Sequence, residues 1–158
     1  MSKDGQALRQ HWGNVTEILE RWLIERRELL VKYGELGEIK VFDGANGIHG
    51  TMLQEFCQLL VDYVSTGHFE IFEQLAGEGK AFSDKDGLQE GADLMDKIQP
   101  STELILDFND KYLATDDLEA LTQDLSNVGE ALAQRFESED KMIAVLHDAH
   151  LEQLIQSP

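Results

Sequence analysis

The stretch LEALTQDLSNVGEALAQRFESEDKMIAVLHDA, residues 118–149, decides the fold. Its apolar side chains fall at Leu118, Leu121, Leu125, Val128, Leu132, Met142, Leu146 and Ala149, with Arg135 and Glu139 in the two places left between them. Steps of three and four return a residue to one side of an α-helix, whereas a strand would scatter them over both faces. A helix with one apolar stripe needs other helices to cover it. Thr115, Asp116 and Asp117 offer N-caps, and Asp116 with Glu119 makes a capping-box variant, so the helix is expected over 116–150.

Working back along the chain, the same steps recur three times. Leu94, Ile98, Ser101, Ile105, Phe108 and Tyr112 mark a helix over about 86–113. Pro100 lies inside it and removes a backbone donor, which predicts a kink or a division there. Residues 51–76 carry two neighbouring stripes: Leu53, Cys57, Leu60, Val64, Gly67, Ile71 and Leu75, then Met52, Phe56, Leu59 and Tyr63. A face that wide suits a helix packed between two others, with Gly67 either breaking it or admitting a close neighbour. Leu8, Trp12, Val15, Leu19, Trp22, Leu29 and Tyr33 mark the first helix, about 5–33, with Arg26 in its one gap. Glu17–Arg21 and Glu28–Lys32 support it at i,i+4, and Gly34 and Gly37 are expected to stop it. Strand signals are weak throughout. The expectation is an all-α, antiparallel, up-down-up-down four-helix bundle, kinked near Pro100 and filling residues 1–158 as one domain.

The chain has 158 residues and a net charge of −18, unevenly placed. Residues 1–42 hold seven basic and seven acidic side chains, so the excess lies in 43–158, most densely between Asp84 and Glu119. Such a balance argues against direct nucleic-acid binding, because phosphates are repelled. It suits either plain solubility or the steering of a cationic protein partner. No stretch has the roughly 18 apolar residues of a membrane span, and Met1-Ser2-Lys3-Asp4 lacks the apolar core of a leader. The expectation is therefore a cytoplasmic protein.

Chemistry that bundles often carry finds little support. Cys57 is the single cysteine and sits on an apolar stripe, so no disulfide framework or cysteine zinc site is expected. None of His11, His49, His68, His147 and His150 has a glutamate three residues earlier, as a ferritin-like di-iron site requires. His147 and His150 are three apart near the C-terminus and could share a metal, but two histidines on a fraying helix end are a weak signal for one. There is no Gly-rich phosphate loop and no G-x-S-x-G elbow. No catalytic residue, metal or cofactor is expected. The enzymatic-class alternative is a histidine phosphotransfer module. There His68 would be the acceptor, but Glu70 and Glu73 close behind it repel a phosphoryl group.

Three charges interrupt the apolar stripes: Arg26, Arg135 and Glu139. They either snorkel to water or form a buried polar layer. Counting rise per residue in an antiparallel bundle puts late helix 2 at the level of Arg135 and Glu139. His68, and with it Asp62 and Tyr63, is a candidate for that layer.

Three blocks carry a family resemblance. Glu20-Arg21-Trp22-Leu23-Ile24-Glu25-Arg26-Arg27-Glu28-Leu29-Leu30 resembles the first-helix signature of the Rsd/AlgQ proteins, regulators of the housekeeping sigma factor. Phe56-Cys57-Gln58, Leu60-Val61-Asp62-Tyr63, Ser65 and Gly67-His68-Phe69 resemble their second-helix signature. Gly129-Glu130-Ala131-Leu132, Arg135-Phe136 and Glu139-Asp140 resemble their fourth. Residues 35–50 depart from the family, and Phe72 stands where a tyrosine is expected.

The resemblance implies a four-helix bundle without enzymatic activity. It implies binding to the C-terminal promoter-recognition domain of the primary sigma factor, as a monomer in a 1:1 complex, with no direct nucleic-acid or membrane contact. Sigma would thereby be sequestered from core RNA polymerase and the −35 element, in stationary phase. A basic DNA-reading surface is one for which carboxylates can compete with phosphates. The expected contact residues are exposed ones of helices 1 and 3: Glu25, Arg27, Glu103, Asp107 and Asp110. Arg26, Asp62, Tyr63, His68, Arg135 and Glu139 are expected to serve as the polar layer.

Overall fold

The computed structural model describes residues 3–156; Met1, Ser2, Ser157 and Pro158 lie outside it. The described residues are helical, with no strand, and form four rods. The first is α1 (Lys3–Gly37). The second runs through α2 (Gly47–Thr66), a π-helical turn (Gly67–Ile71) and α3 (Phe72–Ala81). The third is α4 (Lys85–Ala114). The fourth joins α5 (Leu121–Ile143), a second π-helical turn (Ala144–Asp148) and α6 (Ala149–Gln156).

The apolar stripes become the core. Leu29 and Leu36 of α1, Phe56, Leu60 and Tyr63 of α2, Ile105 of α4, and Leu121 and Val128 of α5 have no exposed surface. Numbers that rise along α1 meet numbers that fall along its neighbours. Trp22 stacks on Tyr63 and Lys32 pairs with Glu55, both of α2. Arg26 pairs with Asp140, and Tyr33 donates to the carbonyl of Leu125, both of α5.

Several local expectations are corrected. Gly34 does not stop α1, which continues to Gly37 and buries Leu36. The second rod starts at Gly47, not 51, because the Asn46 side chain accepts from the backbone N–H groups of Ile48 and His49. Lys32 pairs with Glu35 and Glu55, not with Glu28. The fourth rod starts at Leu121, not 116. Thr115 and Asp117 cap a turn instead, accepting from the N–H groups of Asp117 and Glu119. Pro100 does not divide α4, which is helical on both sides of it. Ala149 is exposed rather than inward. The π-helical turn before it holds one residue more than an α-turn, which hands the inward positions to His147, His150 and Leu154.

Candidate functional site

Two buried polar clusters and an acidic skin are the features beyond simple packing. The first cluster lies at mid-height. The hydroxyl of Tyr63 donates to Glu139 Oε1 at 2.5 Å, and Arg135 Nε donates to Glu139 Oε2 at 2.9 Å. Arg26 Nε donates to the Tyr63 oxygen at 2.9 Å, and its Nη groups reach Asp140 at 2.7 Å and Glu139 at 3.3 Å. Arg135 Nη1 also donates to Thr102 at 2.7 Å and to Ser101 at 3.2 Å, and the Ser101 hydroxyl in turn donates to the carbonyl of Ile98 at 2.6 Å. The Arg26 guanidinium lies over the Phe136 ring, 4.6 Å from its centroid. Burial pushes the Glu139 carboxyl up against the pull of both arginines, and it pushes the Tyr63 hydroxyl up as well. Every charge of the layer is paired, and its hydrogen bonds join α1, α2, α4 and α5.

His68 and Asp62 are not in this layer. Gly67 and Tyr63 are the inward positions at this level, and each rejected residue lies one step, about 100°, away. His68 is exposed and meets the edge of Phe69. Asp62 is exposed and accepts from Gln58 at 2.9 Å. Arg26, Tyr63, Arg135 and Glu139 are brought together; Ser101 and Thr102 are members that sequence reading missed.

The second cluster was also missed. Glu78 of α3 has no exposed surface, and its two oxygens face His147 Nδ1 and His150 Nδ1 at 2.5 Å each. His150 Nε2 lies 2.8 Å from Asp84, the N-cap of α4, and His147 Nε2 lies 2.8 Å from the Thr16 hydroxyl. Trp12 stacks on His147 and Phe82 on His150, each with centroids 4.4 Å apart. Hydrogen bonds to the backbone N–H of Gly87 and to His150 hold the Asp84 carboxyl below its usual range, against its partial burial. The cluster ties the last rod to α1 and to the α3–α4 turn. The stripe Gly67, Ile71, Leu75 continues by one step of three to Glu78, which was the available signal. Among the described residues no group of three or more such side chains has the arrangement of a metal site.

The expected contact residues divide. Arg27, Glu103, Asp107 and Asp110 are exposed, and Glu25 is half-buried. Burial pushes the Glu25 carboxyl up, and so do the nearby charges of Asp62, Glu70 and Glu28. Its Oε2 is buried without a hydrogen-bond partner among the described residues. Beside Glu70, Phe69 is 69% exposed. Cys57 is buried, and burial pushes its thiol up to about 11, so little of it is thiolate at neutral pH.

The molecule is a helical bundle with two buried polar clusters and an acidic surface, and its relatives place it among transcription regulators. Residues 1–147 match the family model described as "Regulator of RNA polymerase sigma(70) subunit, Rsd/AlgQ". The chain belongs to the Rsd/AlgQ family. It is 37% identical over 148 residues to the "Regulator of sigma D" of Pectobacterium carotovorum subsp. carotovorum (strain PC1), covering 90% of this chain and 96% of that one. The protein of the same name from Shigella dysenteriae serotype 1 (strain Sd197) is 36% identical over 138 residues, covering 84% and 85%. That from Salmonella newport (strain SL254) is 36% identical over 153 residues, covering 91% and 90%. Among the described residues no helix is long and apolar enough to cross a membrane.

Proposed function

We propose that this protein is a cytoplasmic, non-enzymatic anti-sigma regulator that binds the C-terminal promoter-recognition domain of the primary sigma factor as a 1:1 complex. Binding sequesters sigma from core RNA polymerase and from the −35 element, and so favours alternative sigma factors in stationary phase. The observation that carries this reading is the family match over residues 1–147. The surface supports it. Glu25, Asp62 and Glu70 crowd one another beside the exposed Phe69, and Glu103, Asp107 and Asp110 stand free on the outer side of α4. Carboxylates in these places offer a DNA-reading surface the charges that phosphates otherwise provide. The reading takes the chain as one domain, with the rods in antiparallel up-down-up-down order and a bend in α4 at Pro100. The polar layer then acts on stability and register, and the acids make the contact.

Exposure of His68 favours one second reading, histidine phosphotransfer. Glu70 and Glu73 oppose it, and an acid-labile phosphohistidine at His68 would be its signature. The test of the main reading is titration of the full chain against the purified C-terminal domain of sigma at low salt. A saturable 1:1 complex that weakens as salt rises is expected; absence of binding removes the reading.

A further inference from the structure

The buried cluster around Glu78 dictates how its own histidines are protonated. An ionised carboxylate only accepts hydrogen bonds, so a ring nitrogen that faces one carries a proton. His150 faces a carboxylate from both nitrogens, Glu78 at 2.5 Å and Asp84 at 2.8 Å, and so holds two protons and a positive charge. His147 Nδ1 faces the other oxygen of Glu78 at 2.5 Å. Its Nε2 lies 2.8 Å from the Thr16 hydroxyl, which donates its one proton to the carbonyl of Trp12 at 3.0 Å and is left as an acceptor. That ring therefore carries both protons as well. Two imidazolium ions balance two carboxylates, and among the described residues no lysine or arginine pairs with either acid.

His150 lies beyond the residues that match the family model, which end at 147, and it anchors α6. That helix is also held by the buried side chain of Leu154 and by Arg9 Nη2, which donates to the Leu154 carbonyl at 2.9 Å. We propose that the cluster is a proton-loaded latch: α6 stays docked on α1 and on the α3–α4 turn while both histidines hold two protons, and lets go when they lose one. The groups that face the two rings are Glu78 of α3, Asp84 at the cap of α4, and Thr16 and Trp12 of α1, with Phe82 stacked on His150. Docked, each ring binds two protons; released into water, each gives one up above the ordinary imidazole range near about 6.5. The docked state binds more protons, so its advantage is complete below that range, while the carboxylates stay ionised, and falls as the pH rises. Loss of the protons leaves Glu78, which has no exposed surface, as a buried carboxylate without a counter-charge, and release to water relieves that cost. Release also frees the rings of Trp12 and Phe82 from their stacked partners. The latch is independent of sigma binding.

The test measures backbone hydrogen exchange of the full chain at pH 6 and pH 9, each site corrected for its intrinsic rate, beside His150→Gln and, as a control, the exposed His68→Gln. In wild type the protection of residues 149–156 is expected to fall about tenfold or more between the two pH values, while that of α5 holds. His68→Gln should respond as wild type does. His150→Gln should show low protection of α6 at both pH values. Should that variant fail to fold, the nitrogen-15 shifts of the wild-type imidazoles decide alone: both ring nitrogens of His150 should read as protonated at pH 6. A neutral His150 at pH 6, equal protection of α6 at both pH values, a loss spread evenly over all four rods, or a response that His68→Gln abolishes would each overturn the latch.

Discussion

At Gly67 a methyl group would sit 2.9 Å from Cζ2 of Trp22 and 3.6 Å from Glu139 Oε2. The ring of Trp22 is held twice by Tyr63, because it stacks on the Tyr63 ring and its Nε1 donates to the Tyr63 carbonyl at 3.2 Å. It cannot yield without disturbing the Tyr63–Glu139 bond. Gly67→Ala is therefore expected to destabilise by about 1–3 kcal/mol, as an overpacked core does. Gly77 is helical too, but a methyl there meets nothing within 4 Å. Gly77→Ala should instead stabilise by roughly 0.5–1 kcal/mol, the ordinary gain of alanine in a helix. Paired denaturant titrations check both, and equal shifts in the two variants would refute the close-approach account. The same neighbourhood shows what single residues disclose in advance. Arg26, Arg135 and Glu139 interrupt apolar stripes, so their sequence positions mark them as inward. Asp62 and His68 adjoin inward residues, and a level counted from rise per residue carries no information about which way a side chain points.

Elements meet at their ends, and there the reading from sequence was weakest. Four stripes at steps of three and four give four rods, because burial of an apolar face is what makes long helices stable. A π-helical turn has no such signature. The one at Ala144–Asp148 turns His150 inward and Ala149 outward, which hid the cluster around Glu78. That cluster and the start of α4 share Asp84, whose Oδ1 accepts from the N–H of Gly87 at 2.8 Å while Oδ2 faces His150. Loss of an N-cap costs about 1 kcal/mol. Because the folded carboxyl titrates below the unfolded one, its contribution is complete above the ordinary carboxylate range and fades as pH falls through the folded value. Asp84→Ala should therefore be less stable than wild type at neutral pH, with the gap closing as the pH drops below about 4. Urea midpoints measured at both pH values check this; a gap that widens on acidification would show that the cap is not the source.

At the scale of the whole molecule, a net charge of −18 on 158 residues works against the compact state as well as toward a partner. Stability and binding then pull exposed acids in opposite directions, which separates function from fold. Arg26, Arg135, Glu139 and Glu78 are committed internally, and replacing them damages folding before it reports on contact. Glu103, Asp107 and Asp110 are exposed and form no ion pair among the described residues, so they add repulsion and no compensating bond. The combined variant Glu103→Gln, Asp107→Asn, Asp110→Asn is expected to melt no lower than wild type. Its association rate with the C-terminal domain of sigma should fall about tenfold at low salt, because steering by complementary charge acts mainly on the encounter. The deficit should shrink toward zero near about 0.5 M salt, where the screening length is only a few ångströms. Stopped-flow association across a salt series, with a melting curve for each protein, reads both quantities. A rate deficit that persists undiminished at high salt would mean that these side chains make fitted contacts; no deficit at any salt would mean that the acidic skin serves solubility alone.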